Sequence, residues 1–574
     1  MSTRVKSIPY VVTLAFLSII VSCRQKVPEI KADIVLWNGN IVTMDTHLPH
    51  AQAVAILGNH IIRVGNDKDV KPLIGEKTRI VDLEQKSVIP GLIDAHVHPF
   101  GAGRALTVLD LKGLSKEQIL EKVARKAKEA KTGDWIEAEG WDQGFWEEKE
   151  FPTKYELDAV TPDNPAALSR IDGHSGWYNS LALGLSNIDK KTKDPEGGRI
   201  LRDARGEPTG ILIDEAMAFI EGERSGEGLE RKEAYLKLAL EQFRKWGITG
   251  IHDAGADKDS LQVYEKLRQQ GELTVRVYAM ISAGSNAFPE ALAQGPRVDN
   301  FLTARSAKLL IDGALGSRGA LLFEPYSDSP DTSGLQMMKD EDAYSIIKNS
   351  LERGFQVCTH AIGDKALHIM LDLYQRALEE SPVENHRFRI EHASVIQKQD
   401  LPRFKEMNVI AAMQPIFIGE YGRWAEDRLG PQRIKGVLIF RQLLDAGVVV
   451  AGGTDSPASD TGNPLFNFYA AVTRKSPYGV PQEWYGLEKI TREEALRMLT
   501  LDAAYAAFEE DAKGSIKVGK LADIVVLDQD IMKIDEEKIL NTEVLMTILD
   551  GKIIYSAGMS RTPLGDQVEE SPIS

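Results

Sequence analysis

Cysteine is scarce: Cys23 and Cys358 are the only two in 574 residues, so no disulfide framework can hold the fold. Cys358 lies in an apolar run, where a small buried hydrophobe is its expected role. Cationic excess is missing too. With 69 Lys and Arg against 85 Asp and Glu, the formal charge is −16. That balance excludes a nucleic-acid partner, because phosphate-backbone binders concentrate Lys and Arg on one face. Tandem repeats and low-complexity tracts are also absent. The apolar stretch near the start, Tyr10 to Val21, is too short to cross a bilayer comfortably.

What is present begins with that stretch. Arg4 and Lys6 precede it, so it reads as an export signal. Ile20-Val21-Ser22-Cys23 closes it in the manner of a bacterial lipoprotein box. The expectation is a signal peptide over 1–22, a lipid on Cys23 and a polar tether over 23–31. The chain would then be exported and held at a membrane of a bacterial cell envelope by that anchor. A plain secretory signal or a short buried helix are the alternatives. Beyond the tether, short β-rich runs such as Ile34 to Trp37 and Ile41 to Met44 are broken by Asn38-Gly39 and Gly58-Asn59, read as hairpin turns. Similar runs recur at Ala522 to Leu527, Leu545 to Leu549 and Ile553 to Tyr555. Each set has too few strands to bury a face alone, so residues 32–88 and 505–560 should form one composite β-sandwich, followed by a tail over 561–574.

Between the two sets, apolar runs alternate with helix-like segments, the pattern of βα units. Eight candidate strands end near His98, Asp253, Met280, Asp312, His360, His392, Gln414 and Asp455. This predicts an α/β fold: a TIM-like (β/α)8 barrel over 89–504, with a large insertion over about 100–245 packed across its mouth. His96 and His98 stand two apart on the first strand and so point the same way, into the lumen, where they can chelate one ion. A lone His-x-His arises often by chance. Lys308, His360, His392 and Asp455 at later strand ends make it a strong signal.

The chain resembles the amidohydrolase superfamily, and within it the third amidohydrolase family, which includes N-substituted formamide deformylase. The likeness is carried by Pro90-Gly91-Leu92-Ile93-Asp94-Ala95-His96-Val97-His98, Asp172-Gly173-His174-Ser175, Lys308 to Arg318, Thr359 to Asp364, Arg389-Ile390-Glu391-His392 and Gly453-Thr454-Asp455-Ser456-Pro457. The resemblance implies a metal-dependent hydrolase with one or two divalent ions, zinc being the expected metal. His96, His98 and Asp455 would hold the first ion, and His360 and His392 a second. Lys308 would bridge them as a carbamate, since a desolvated lysine has a lowered pKa and its neutral amine can take up carbon dioxide. The other roles open to Lys308 are a cation for a substrate carboxylate, or a side chain reaching solvent.

The expected reaction is hydrolysis of a non-peptide carbon–nitrogen bond of amide or formamide type in a small molecule, by water activated at the metal. Asp455 is the candidate proton shuttle, though an Asp beside Ser456-Pro457 also suits a helix N-cap. His174 could polarise the carbonyl or hold substrate, or be a hydrogen-bonded core histidine. Trp141 and Trp146 could wall a substrate pocket or be the insertion's own core. Arg318 and Arg423 could meet an anionic group or form ordinary salt bridges. His252 ends the second strand without an assigned role. Ester or lactone hydrolysis, ring deamination and a tethered solute-binding protein with an idle barrel are the competing functions. An assembly of identical copies is compatible with the sequence.

Overall fold

The computed structural model describes residues 30–557 apart from 222–227, 460, 479 and 481. The signal segment, Cys23 and the tail therefore lie outside the described residues. Among those described, no helix is long and apolar enough to cross a membrane.

Eight parallel strands form the central sheet: β1 (Leu92–Val97), β2 (Ile248–Ala256), β3 (Arg276–Ser282), β4 (Leu302–Leu310), β5 (Gln356–Ala361), β6 (Arg389–His392), β7 (Ile410–Met413) and β8 (Val450–Gly452). They pair in chain order, and most are buried along their whole length. This is why they read as short continuous apolar runs rather than alternating ones. The eight strand ends expected from the sequence are all found here. The wall is nearly closed. Between β8 and β1 the ladder gives way to two backbone bonds, Asp455 N–H to the His96 carbonyl at 2.7 Å and His98 N–H to the Ser456 carbonyl at 2.9 Å. Gly453 permits this approach, because a Cβ there would stand 2.4 Å from the His96 nitrogen.

Two further sheets lie outside the barrel and share one core. One joins both halves of the chain: Val544–Leu549, Ile524–Leu527, Ser87–Pro90 and Asn40–Val42 are successive neighbours, with Ile524 opposite Pro90. The other has Ile34–Trp37 between Ala53–Leu57 and Arg79–Asp82. The second expected turn is a hairpin, with Leu57 opposite His60. The first is not. Ile34–Trp37 and Asn40–Val42 belong to different sheets, so Asn38-Gly39 carries the chain across the sandwich instead of folding it back. Asn38 supplies the left-handed φ of 54°, and Gly39 slips past Leu83, whose Cδ1 would stand 2.4 Å from a Cβ. Asn38-Gly39 turns the chain without making a hairpin, because partner choice is set by the faces the strands bury.

Between β1 and β2 the chain builds a six-stranded sheet, ordered Gly198–Arg202, Pro208–Asp214, Ser175–Tyr178, Ala166–Arg170, Ile136–Trp141 and Leu109–Asp110. It has its own core of Trp141, Trp146, Trp177, Leu157 and Leu168.

One ion pair joins barrel to sandwich. Arg276, at the start of β3, donates from Nε and Nη2 to Asp523 at 2.7 and 3.0 Å, and from Nη2 to Asp550 at 3.0 Å. Arg276 and Asp523 are buried, so losing Asp523 leaves the Arg276 charge with Asp550 as its one remaining acid in a dry interface. Asp523→Ala should destabilise the protein by about 3 kcal/mol in urea unfolding, while Arg276→Met with Asp523→Leu recovers most of the loss. Equal unfolding of the single and double variants would refute this.

Candidate metal centre

The carboxyl ends of β1, β5 and β6, with the segment after β8, bring imidazoles and a carboxylate into one cluster. His96, at the end of β1, is fully buried, while the side chain of His98 is 42 % exposed at the cleft. Asp455 Oδ1 stands 3.4 Å from His96 Nε2 and 3.2 Å from His98 Nε2. The ligand atoms of these three residues all lie within 4.8 Å of one another. His392 and His360 extend the row, with ring centroids 4.6 Å between His96 and His392 and 4.5 Å between His392 and His360. His174 follows, 5.1 Å from His360. Lys308, near the end of β4, is 3 % exposed and lines the same cleft.

Local backbone explains why these side chains converge. Asp455 and His392 have left-handed φ values of 59° and 71°, sparsely populated for non-glycine residues and common where a site holds its ligands under strain. Asp94 fixes the first by accepting from Thr454 N–H at 2.9 Å, from Thr454 Oγ1 at 2.6 Å and from His96 N–H at 3.2 Å. Its burial pushes its pKa up to about 7. Asp312 does similar work between β4 and β5, accepting from Leu321, Ile362 and Gly363 N–H at 2.8 to 3.0 Å.

The outer ring nitrogens are anchored and the inner ones are not. His96 Nδ1–H donates to Glu391 at 2.5 Å, and Glu391 also faces Arg389 at 2.7 Å. His392 Nδ1–H donates to Gln414 Oε1 at 2.9 Å. His96 Nε2, His360 Nε2 and Asp455 Oδ1 are buried with no hydrogen-bond partner among the described residues. Buried polar atoms rarely go unpaired, so their convergence calls for a cation. Burial holds the pKa values of His96, His360 and His392 well below the usual range, leaving the neutral imidazoles a metal needs. At Asp455 burial works to raise the pKa, but His96, His98 and Lys308 outweigh it and keep the carboxylate ionised. Burial lowers the pKa of Lys308. The residues present fit a divalent ion held by nitrogen and oxygen, with carboxylate and amide groups orienting the ring ligands from behind.

The cleft above this cluster has a volume of about 590 Å³, and its far wall comes from the inserted sheet. His174 Nδ1–H donates to Asp214 at 2.6 Å. Burial would lower its pKa, but the bond to Asp214 and the nearby carboxylates prevail and push it up to about 9.

An amidohydrolase-family profile matches residues 79–555. The chain belongs to the amidohydrolase family. Among curated relatives, this amidohydrolase is 35 % identical to Protein LONG AFTER FAR-RED 3 of Arabidopsis thaliana, over 92 % of each chain. It is 28 % identical to N-substituted formamide deformylase of Arthrobacter pascens, over 91 % of this chain and 98 % of that protein. Among solved structures, a metal-dependent hydrolase of Pyrococcus horikoshii superposes with a TM-score of 0.71 and 29 % identity, over 88 % of this chain and 99 % of that one. The family makes the chain a hydrolase acting on carbon–nitrogen bonds other than peptide bonds.

Four expected substrate contacts of this amidohydrolase lie elsewhere. Trp141 and Trp146 do not wall the cleft: they pack in the core of the inserted sheet, with ring nitrogens donating to the Leu168 and Leu114 carbonyls at 2.8 and 3.2 Å. A six-stranded sheet outside the barrel buries apolar surface of its own. Arg318 is paired with Asp328 at 3.0 Å, and Arg423 with Asp142 at 3.2 Å. His252 accepts from Arg389 in the lumen, 2.9 Å away, and Cys358 is buried. Sequence reasoning missed the supports Asp94, Glu391, Gln414 and Asp214. The acids beside His96 and His392 were visible in the motifs, whereas no spacing rule links Asp214 to His174.

Glu391→Gln should weaken retained metal about 10- to 100-fold, measured by elemental analysis after dialysis against a graded chelator. Retention equal to that of the unaltered protein would remove Glu391 from the ligand support.

Proposed function

We propose that this amidohydrolase hydrolyses an amide- or formamide-type bond in a small, non-peptide substrate, with a divalent metal at the barrel mouth. The observation that carries the reading is the meeting of His96, His98, His360, His392 and Asp455, with His96 Nε2, His360 Nε2 and Asp455 Oδ1 buried and unpaired among the described residues. Nitrogen and carboxylate donors suit zinc and its neighbours. A bound divalent ion would polarise the acyl oxygen and lower the pKa of water. His96, His98 and Asp455 would hold one ion. In a two-ion site His360 and His392 would hold the other, with Lys308 between them as a carbamate.

The chain's own groups divide the remaining work. Asp455 is ionised and lies against His96 and His98, so it accepts the proton of the attacking water and hands it to the departing nitrogen. His174 carries a proton at neutral pH and presents an N–H to the acyl oxygen as charge develops there. Water adds to the carbonyl carbon, the carbon–nitrogen bond breaks, and an acid and an amine leave. Support for an amide or formamide substrate comes from the full-length similarity to N-substituted formamide deformylase. The exposed edge of His98 leaves the cluster open to the cleft.

Matched N-acyl, N-formyl and ester substrates, assayed with and without chelator, test the reading. Hydrolysis of the amides should vanish on chelation and return with zinc, and Asp455→Asn should lower kcat by about 100- to 10,000-fold. Turnover of esters alone, or indifference to Asp455→Asn, would refute it. The pH profile tests His174 separately. The imidazolium persists below its raised pKa of about 9 and is lost as pH rises through it, so kcat/KM should fall on that alkaline side. In Asp214→Asn the raising partner is gone, and the fall should come at lower pH. An unmoved alkaline limb would take His174 out of the step.

A further inference from the structure

We infer that the cavity beside Asp455, walled by Ala102, Ala105, Leu106, Phe243, Trp246 and Pro457, binds an apolar substituent carried on the leaving nitrogen of the substrate. This rests on the hydrolase reading above and specifies which substrates it favours. The cavity measures about 360 Å³ and shares Glu139 and Pro457 with the metal cleft, so the two spaces meet at a common wall. Asp455-Ser456-Pro457 leads directly from one to the other, since Ser456 lines the side cavity while Asp455 lines the cleft.

Orientation follows from the row of rings. Asp455 lies against His96 and His98 at one end, and His174 stands beyond His360 at the other. With the acyl oxygen toward His174 and the departing nitrogen toward Asp455, whatever the nitrogen carries continues past Pro457 into the side cavity. The walls there are the side chains of two helices, Pro99–Ala105 and Leu229–Lys245, with Trp246 just past the second. Three charged groups stand at the wall: Lys112 donates to the Ser459 carbonyl, Glu139 is paired with Arg104, and Asp110 accepts from Lys112 N–H at 3.1 Å. Leu106 is left 57 % exposed beside the cavity. An alkyl or aryl group matches such walls, and a charged substituent does not.

A series of N-alkylformamides from methyl to hexyl tests the assignment in the zinc-loaded protein. kcat/KM should rise about fourfold per methylene as the chain enters the cavity. In Ala105→Phe, which fills the space from the half-exposed end of its helix, the hexyl-to-methyl ratio should collapse toward one. A flat series in the unaltered protein, or the same ratio in the variant, would overturn the inference. Calorimetric binding of n-hexylamine separates this from failure of the hydrolase reading. If no formamide is turned over, hexylamine binding weakened tenfold or more by Ala105→Phe still supports the cavity, and equal binding in both proteins overturns it.

Discussion

The approach of β8 to β1 is the constraint on which the site depends. No strand ladder closes the wall there, and the join is made by the Asp455 and His98 backbone amides, by Asp94 gripping Thr454 and by the missing side chain of Gly453. The same few contacts that complete the wall turn Asp455 into its left-handed conformation and present its carboxylate to two imidazoles that precede it by most of the chain. Closure and ligand geometry are therefore one event. A barrel that failed to close at this seam would leave the ligands of β1 and the segment after β8 on opposite edges of an open sheet.

Desolvation sets the chemistry of the lumen. A dry interior disfavours every charge it holds, so charges there are paired or lost. Glu391 survives by facing Arg389, which donates further to the Ala95 carbonyl and to His252. The stacked order is thus cation, carboxylate, then neutral imidazole, each group orienting the next toward the cleft. Depressed imidazole basicity would be a plain loss in a structural core. Beneath a metal it keeps the donor lone pairs free of protons.

The barrel and the cluster at its mouth were legible in the sequence because both obey local rules. A fully buried parallel strand is a short apolar run, and a polar residue at its carboxyl end follows at once, so it could be expected without a structure that His96, His98, Lys308, His360, His392 and Asp455 line one cleft. What escaped depended on partners set by the fold. Asn38-Gly39 has turn chemistry, yet the strands it separates belong to different sheets. Trp141 and Trp146 have the composition of a pocket wall and serve a core. Arg318 and Arg423 are of the type that receives anions, but nearby carboxylates already occupy them. Asp214 reaches His174 across 40 positions, a distance over which no pattern speaks.

The joint between insertion and barrel shows how a cleft can be built from two bodies without loosening either. Arg170 from the inserted sheet and Arg423 from the helix after β7 meet Asp142, Asp172 and Glu420 with little access to water. Two cations face three acids, an imbalance a dry interface cannot keep. Burial raises the pKa of Glu420 well above the usual range, whereas at Asp142 the two arginines overcome burial and hold the carboxylate ionised. Arg170 thus faces all three acids and Arg423 one of them, which makes the joint a buried, ion-paired plate. The insertion keeps its own tryptophan core behind that plate. Its cleft-facing residues, His174 and Asp214 among them, are tied to that plate, since Asp172 also accepts from His174 N–H at 3.0 Å.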